Sequence, residues 1–251
     1  MVRVPLGEIG EANMLFRGEK AKKLRESEQY RVVEIFNSVE GEGKRAGRIA
    51  TFIRLYGCNL RCSYCDTPYG YDGGGYSMMS ANDIIEECRK HGTKAVTLTG
   101  GEPLYEMEKA AFLVRELARD GYEINVETNG SVSLRACFGR RPRNCFFTMD
   151  MKCPSSKMSG KMCLDNLAYL SAGDVVKCVV GSREDMEWAA NAIASNPVSA
   201  TVYFSPVFGE IEPSEIVDFL KGLQSKQGVL SEARAQLQLH KFIYPVDMRG
   251  V

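Results

Sequence analysis

Apolar residues along the chain come in two alternating patterns. Short runs of four to seven fall at residues 32–36, 50–56, 95–98, 123–126, 146–149, 175–180 and 201–204. Between them apolar positions recur every three or four residues, at 81–91, 108–120, 164–172, 184–195 and 213–224. The first pattern predicts buried strands and the second amphipathic helices. A further strand is expected at 237–244, and a helical or partly ordered extension over residues 8–30. Repeated strand-then-helix order predicts an α/β domain from residue 31 to 251, with a parallel sheet under a helical layer and residues 1–30 as an N-terminal extension.

In such sheets ligands sit at the carboxyl ends of the strands. The unusual polar motifs obey that rule. Gly57 to Asp66 follows one apolar run, Thr99-Gly100-Gly101-Glu102 the next and Glu127-Thr128-Asn129-Gly130 a third. Asp150-Met151-Lys152 and Ser205-Pro206-Val207-Phe208 end two more.

Composition narrows the setting. Lys plus Arg and Asp plus Glu number 32 each, so no net field favours nucleic acid or an anionic membrane. No apolar stretch approaches the roughly 20 residues that span a bilayer, and no export signal is evident at the start, so a cytoplasmic protein is expected. Nine cysteines in a reducing compartment are better suited to metal or catalysis than to bridges.

Three of them cluster. Gly57-Cys58-Asn59-Leu60-Arg61-Cys62-Ser63-Tyr64-Cys65 spaces its thiols by three residues and then two, on one loop. Closely spaced thiolates hold iron–sulfur clusters. Structural zinc would want a fourth ligand, commonly from a second Cys or His pair, and no such pair exists. Asp66-Thr67 could offer oxygen to a hard cation, or simply make a turn with Pro68.

The Cys58–Cys62–Cys65 spacing, with an aromatic before the last cysteine, resembles the radical S-adenosylmethionine signature. Residues 34–66 sharpen the likeness: an acidic, glycine-punctuated loop Glu40-Gly41-Glu42-Gly43 precedes Phe52-Ile53-Arg54-Leu55. From about Glu34 to Val251 the chain resembles the 7-carboxy-7-deazaguanine synthase family. Glu40 stands where that family usually has Gln, and an ionised carboxylate accepts but does not donate.

The resemblance implies an incomplete (β/α)6 barrel, usually a homodimer. A [4Fe–4S] cluster on Cys58, Cys62 and Cys65 would leave one iron open to S-adenosylmethionine, whose reductive cleavage gives a 5′-deoxyadenosyl radical. Cofactor contacts would come from Tyr64, Asp66, Gly100, Gly101, Glu102, Glu127, Asp150, Met151, Lys152, Ser205, Pro206, Val207 and Phe208. Mg²⁺ would sit on Thr67. The substrate implied is 6-carboxy-5,6,7,8-tetrahydropterin, contracted with loss of ammonia and contacted by Val39, Glu40, Gly41, Glu42, Arg54, Thr99, His240 and Val251. An external one-electron donor such as flavodoxin or ferredoxin is implied; direct nucleic-acid or membrane partners are not.

Two other readings stay open. A small activase of glycyl-radical enzymes shares the cysteine spacing and chain length, and an electron-transfer or zinc module would need no catalysis. His91 ends Arg89-Lys90-His91-Gly92 and is expected to close a helix. His240 suits either a core imidazole or a substrate contact.

Overall fold

The computed structural model describes residues 19–224, 228–246 and 248–251. The rest of the expected N-terminal extension, residues 1–18, lies outside them. Helix α1 (Glu19–Ser27) is docked: Arg25 donates to Glu116 at 2.7 Å and Asp120 at 2.6 Å. The first strand, β1 (Gln29–Val39), begins inside the span expected to be extension.

The remaining order is β2 (Ile49–Leu55), β3 (Ser77–Ser80), α2 (Ala81–His91), β4 (Ala95–Gly100), α3 (Met107–Arg119), β5 (Glu123–Thr128) and α4 (Leu134–Phe138). Then come β6 (Cys145–Lys152), α5 (Asp165–Tyr169), β7 (Val175–Val180), α6 (Arg183–Ala194), β8 (Thr201–Pro206), α7 (Pro213–Leu223), β9 (Arg234–Ala235) and α8 (His240–Ile243). The described strands form one sheet, ordered β3-β1-β2-β4-β5-β6-β7-β8-β9. β2 and β4 through β8 are six parallel strands of an open, incomplete barrel, and the two-residue β9 adds to its edge parallel to β8. The sequence pattern predicted this order. It did not predict that β1 pairs antiparallel with both β2 and β3, because the short Ser77-Met78-Met79-Ser80 carries no apolar alternation.

Burial explains the strands. All six residues of β7 are buried, as expected for a strand covered on both faces. Ile53, Leu98, Ile124, Phe147 and Phe204 stand fully buried in the central strands, packed with Ile84, Leu113 and Leu117 of the helices. Local signals fix the helix ends. Ser80 and Asp83 form a capping box, each accepting the other's backbone N–H, and Gly92 takes the left-handed conformation after His91.

The C-terminal segment departs from expectation. The strand expected at 237–244 is a short helix, α8, preceded by the two-residue β9 beside Tyr203 and Phe204. Leu239 N–H donates to Gly41 O at 3.0 Å, so the backbone is drawn to the β1–β2 loop and away from a sheet ladder. Phe242 and Ile243, read as strand interior, are exposed.

Candidate active site

The loops at the carboxyl ends of the parallel strands surround a cleft of about 260 Å³. Cys58, Cys62 and Cys65 line it, and all three are free thiols. Their loop is pressed against the end of β4. A Cβ on Gly101 would lie 2.7 Å from Cys58 Cβ, so only glycine lets the two backbones approach this closely. Burial pushes the Cys58 and Cys62 thiols up, so in the free protein they hold their protons until a metal displaces them. The Cys58 sulfur accepts from Leu60 N–H at 3.4 Å and from Asn129 Nδ2 at 3.8 Å, donors that favour a ligating thiolate.

The three free thiols line one and the same cleft. Zinc would need them to converge at Zn–S distances of about 2.3 Å. Among the described residues no three Cys, His, Asp or Glu side chains converge in that way.

Beyond the thiols the wall is charged and internally paired. Lys177, at the middle of β7, donates to Glu42 at 2.7 Å and to Asp150 at 2.9 Å. Lys152 donates to the same Asp150 at 2.7 Å. Burial opposes the Lys177 charge, but Asp150 and Glu42 outweigh it and hold the ammonium well above its ordinary range. Burial likewise opposes ionisation of Asp150, and Lys152 and Lys177 overcome it. Glu127 behaves differently. Burial and the nearby Glu40 push it up to about 7, so it can exchange a proton near neutral pH.

On the far side Arg54 projects from β2, its Nε donating to Glu34 at 2.7 Å. Phe36 and Phe52 stack beside it, centroids 5.2 Å apart and rings nearly parallel. His240 borders Gly41, where a Cβ would overlap the imidazole. Burial lowers the His240 pKa despite Glu42 nearby, so the ring is neutral. Asp66 is held at about 2: desolvation pushes it up, but the Lys241 ammonium at 3.1 Å and the Thr67 hydroxyl at 3.0 Å outweigh that.

Of the residues expected here, Val39, Gly41, Glu42, Arg54, Tyr64, Asp66, Thr67, Thr99, Gly100, Gly101, Glu127, Asp150, Lys152, Val207, Phe208, His240 and Val251 line the cleft with the cysteines. Five do not. Glu40, expected to touch substrate, is buried in an ion pair with Arg45 and accepts from Thr97. Glu102, expected to grip the cofactor, lies 1% exposed behind the loop. It accepts from Leu104 N–H at 2.9 Å, Asn129 N–H at 2.6 Å and the Thr128 hydroxyl at 2.9 Å. Met151 is fully buried in β6, Ser205 donates to Glu42 at 3.1 Å, and Pro206 ends β8 in the core. Each of these faces the far side of its strand or is taken up by a neighbour.

Glu102 is therefore the joint between the β4 and β5 loops. Burial pushes it up to about 7 against those donors. Glu102→Gln puts an NH₂ where only donors point, and should cost about 1–3 kcal/mol of stability. Thermal unfolding at neutral pH measures it; an unchanged melting temperature would contradict the joint.

Lys177 was missed. The signal was present: a lysine in Val-Val-Lys-Cys-Val-Val must find a counter-charge once the strand is buried. Phe36, Phe52, Gln238 and Lys241 also line the cleft without an expected role, and so does Asn129, expected only as part of its strand-end motif.

Residues 52–137 match the model of the Radical SAM superfamily. A 7-carboxy-7-deazaguanine synthase of Clostridium acetobutylicum is 40% identical over 228 residues, covering 88% of this chain and 99% of that protein. One from Thermoplasma acidophilum is 35% identical over 221 residues, with the same coverage of 88% and 99%. The solved structure of QueE from Escherichia coli shares the fold, with a TM-score of 0.69 at 20% identity, covering 89% of this chain and 100% of that one. Relatives matched over this length do not favour the glycyl-radical activase reading.

Proposed function

The chain belongs to the 7-carboxy-7-deazaguanine synthase family of radical S-adenosylmethionine lyases, and from that premise we propose which of its residues bind the cofactors and the substrate. Cys58, Cys62 and Cys65 hold a [4Fe–4S] cluster. Gly100, Gly101, Asn129, Lys152, Val207 and Phe208, at the ends of four strands, surround S-adenosylmethionine. When bound, the cluster and S-adenosylmethionine supply the hydrogen-abstracting radical.

The observation that carries the substrate assignment is Arg54 beside the Phe36–Phe52 stack, in the same cleft as the three thiols. A guanidinium binds a carboxylate, and a flat aromatic wall suits the planar pyrimidinone half of a pterin. Glu42, oriented by Lys177, accepts from ring N–H groups. These features fit 6-carboxy-5,6,7,8-tetrahydropterin, with its carboxylate on Arg54. Thr67 and the low-pKa Asp66 offer hard oxygens for Mg²⁺ beside it.

The reductant is a one-electron donor of the flavodoxin or ferredoxin kind. The setting is the cytoplasm, where the thiols stay reduced; among the described residues no helix is long and apolar enough to cross a membrane. A homodimer is the expected assembly.

Anaerobic reconstitution followed by assay of 5′-deoxyadenosine, with and without the carboxypterin, tests the function. Substrate-stimulated cleavage with a ring-contracted product and ammonia is expected. Cleavage that ignores the pterin and yields no such product would overturn the substrate. Arg54→Ala should raise the KM for the pterin about 10- to 100-fold, the loss of a charge-assisted bond of about 1.5–3 kcal/mol, with iron content unchanged. Loss of iron in this variant would contradict the assignment.

A further inference from the structure

Tyr69 does not line the cleft, yet it contacts two parts of the chain that do. It sits on the tight turn Pro68–Gly70, just after the cluster loop. That turn is anchored: Gly57 N–H donates to Gly70 O at 2.7 Å, and the Tyr56 hydroxyl donates to Tyr71 O at 2.9 Å. The Arg249 guanidinium lies 3.9 Å from the centre of the Tyr69 ring, and that of Arg54 lies 5.8 Å from it. The Tyr69 hydroxyl donates to Glu34 Oε1 at 3.3 Å, the same oxygen that accepts from Arg54 Nε.

We propose that Tyr69 is a positioning residue: its anchored ring holds the Arg249 guanidinium, and with it the segment that carries Val251 into the cleft, while its hydroxyl and Glu34 fix Arg54. The physical reason is the geometry of the two cations. A guanidinium within about 6 Å of a tyrosine ring is attracted to the π-face. Arg249 is otherwise exposed, and among the described residues the Tyr69 ring is the contact its guanidinium makes. The nearest backbone restraint on this segment is Met248 N–H to Pro245 O at 3.0 Å, which is internal to it. The ring is thus a side-chain anchor for Arg249 to Val251, beside Gly250, where a Cβ would come 3.9 Å from Glu34 Oε2. Arg54, in turn, would swing about its Glu34 contact without the hydroxyl on the same carboxylate. One side chain on a fixed turn therefore sets two walls of the cleft relative to the cluster loop. What Arg54 binds rests on the proposed function; the hold on the tail does not.

Trypsin must draw Arg249 out of the stack to cut after it. The reconstituted enzyme is therefore compared as wild type, Tyr69→Leu, Tyr69→Phe and Arg249→Lys. Cleavage after residue 249 is followed by intact mass and normalised to free peptides of the same tail sequences. Tyr69→Leu should be cut about five- to tenfold faster, with a KM for the carboxypterin raised by a similar factor and iron content unchanged. Tyr69→Phe keeps the ring and should be cut at the wild-type rate. Arg249→Lys loses the planar cation and should be cut faster even if the leucine variant fails to load iron. Wild-type cleavage rates in both Tyr69→Leu and Arg249→Lys would overturn the proposal, as would a raised KM without faster cleavage. If the wild-type enzyme does not turn over the carboxypterin, the substrate reading fails and the cleavage rates still decide the clamp.

Discussion

Cys62→Ala should abolish both the visible absorption of the reconstituted protein and all formation of 5′-deoxyadenosine. The expected effect is complete, because no other group can take the place of that thiolate. Of the six remaining cysteines, Cys88, Cys137, Cys145, Cys153 and Cys178 are buried, and burial pushes the Cys88, Cys137 and Cys145 thiols up to about 12. The partly exposed Cys163 follows the tight turn at residues 159–161, its N–H bonded to Gly130 O at 3.0 Å and its side chain outside the cleft. Cys163→Ala is therefore the control and should keep both signals. Cys62 is half-buried on a loop and belongs to no core cluster, so its replacement should leave the melting temperature of the cluster-free protein near wild type. A Cys62→Ala protein that retained full iron would remove the ligand assignment.

The second large effect is expected at a residue that does not line the cleft. The Arg45 side chain is 4% exposed and that of its partner Glu40 is 1% exposed. Arg45 Nε reaches Glu40 at 3.1 Å, and its terminal nitrogens donate to Glu123 O and Val96 O, each at 3.1 Å. Glu40 also accepts from the Thr97 hydroxyl, while its Oε2 has no hydrogen-bond partner among the described residues. Arg45→Met leaves a buried carboxylate with one hydroxyl donor and removes a donor from the Glu123 and Val96 carbonyls. Removing one member of a buried pair costs about 3–5 kcal/mol. For a domain of this size that is a fall in melting temperature of about 6–20 °C. Glu40→Gln should cost less, because Arg45 keeps its carbonyls and an amide can still accept. Differential scanning calorimetry of the three proteins decides it, and equal melting temperatures for Arg45→Met and wild type would show that the pair carries no stability. The function should suffer as well, since Glu40 N–H and O tie to Arg48 and Gly47 and so fix the loop that delivers Gly41 and Glu42 to the cleft.

Glu40 shows why some of the site was legible in the sequence and some was not. The likeness of its loop placed it at the substrate, and two neighbours on that loop, Gly41 and Glu42, line the cleft. Which of two nearby carboxylates faces inward was decided by Arg45 five residues away and Thr97 fifty-seven away. Glu42 turned to the cleft because Lys177, 135 residues on, meets it there. Glu102 is a similar case. Its motif marked the right loop, but the backbone N–H groups that capture it belong to Leu104 and Asn129. The expected strand near the C-terminus failed for a related reason, as hydrogen bonding to Gly41 overrode a weak alternation.

The chain by itself therefore determined what depends on neighbours in sequence. Three thiols on one loop, glycines where backbones must meet, and apolar runs long enough for buried strands are all local, and local spacing limits what they can bind or form. Tertiary structure alone decided the direction and pairing of charged side chains. Their energies come from desolvation and from partners a hundred or more residues away, as Lys177 with Glu42 and Arg249 with Tyr69 show. No periodicity along the chain encodes which of several carboxylates a buried cation will meet.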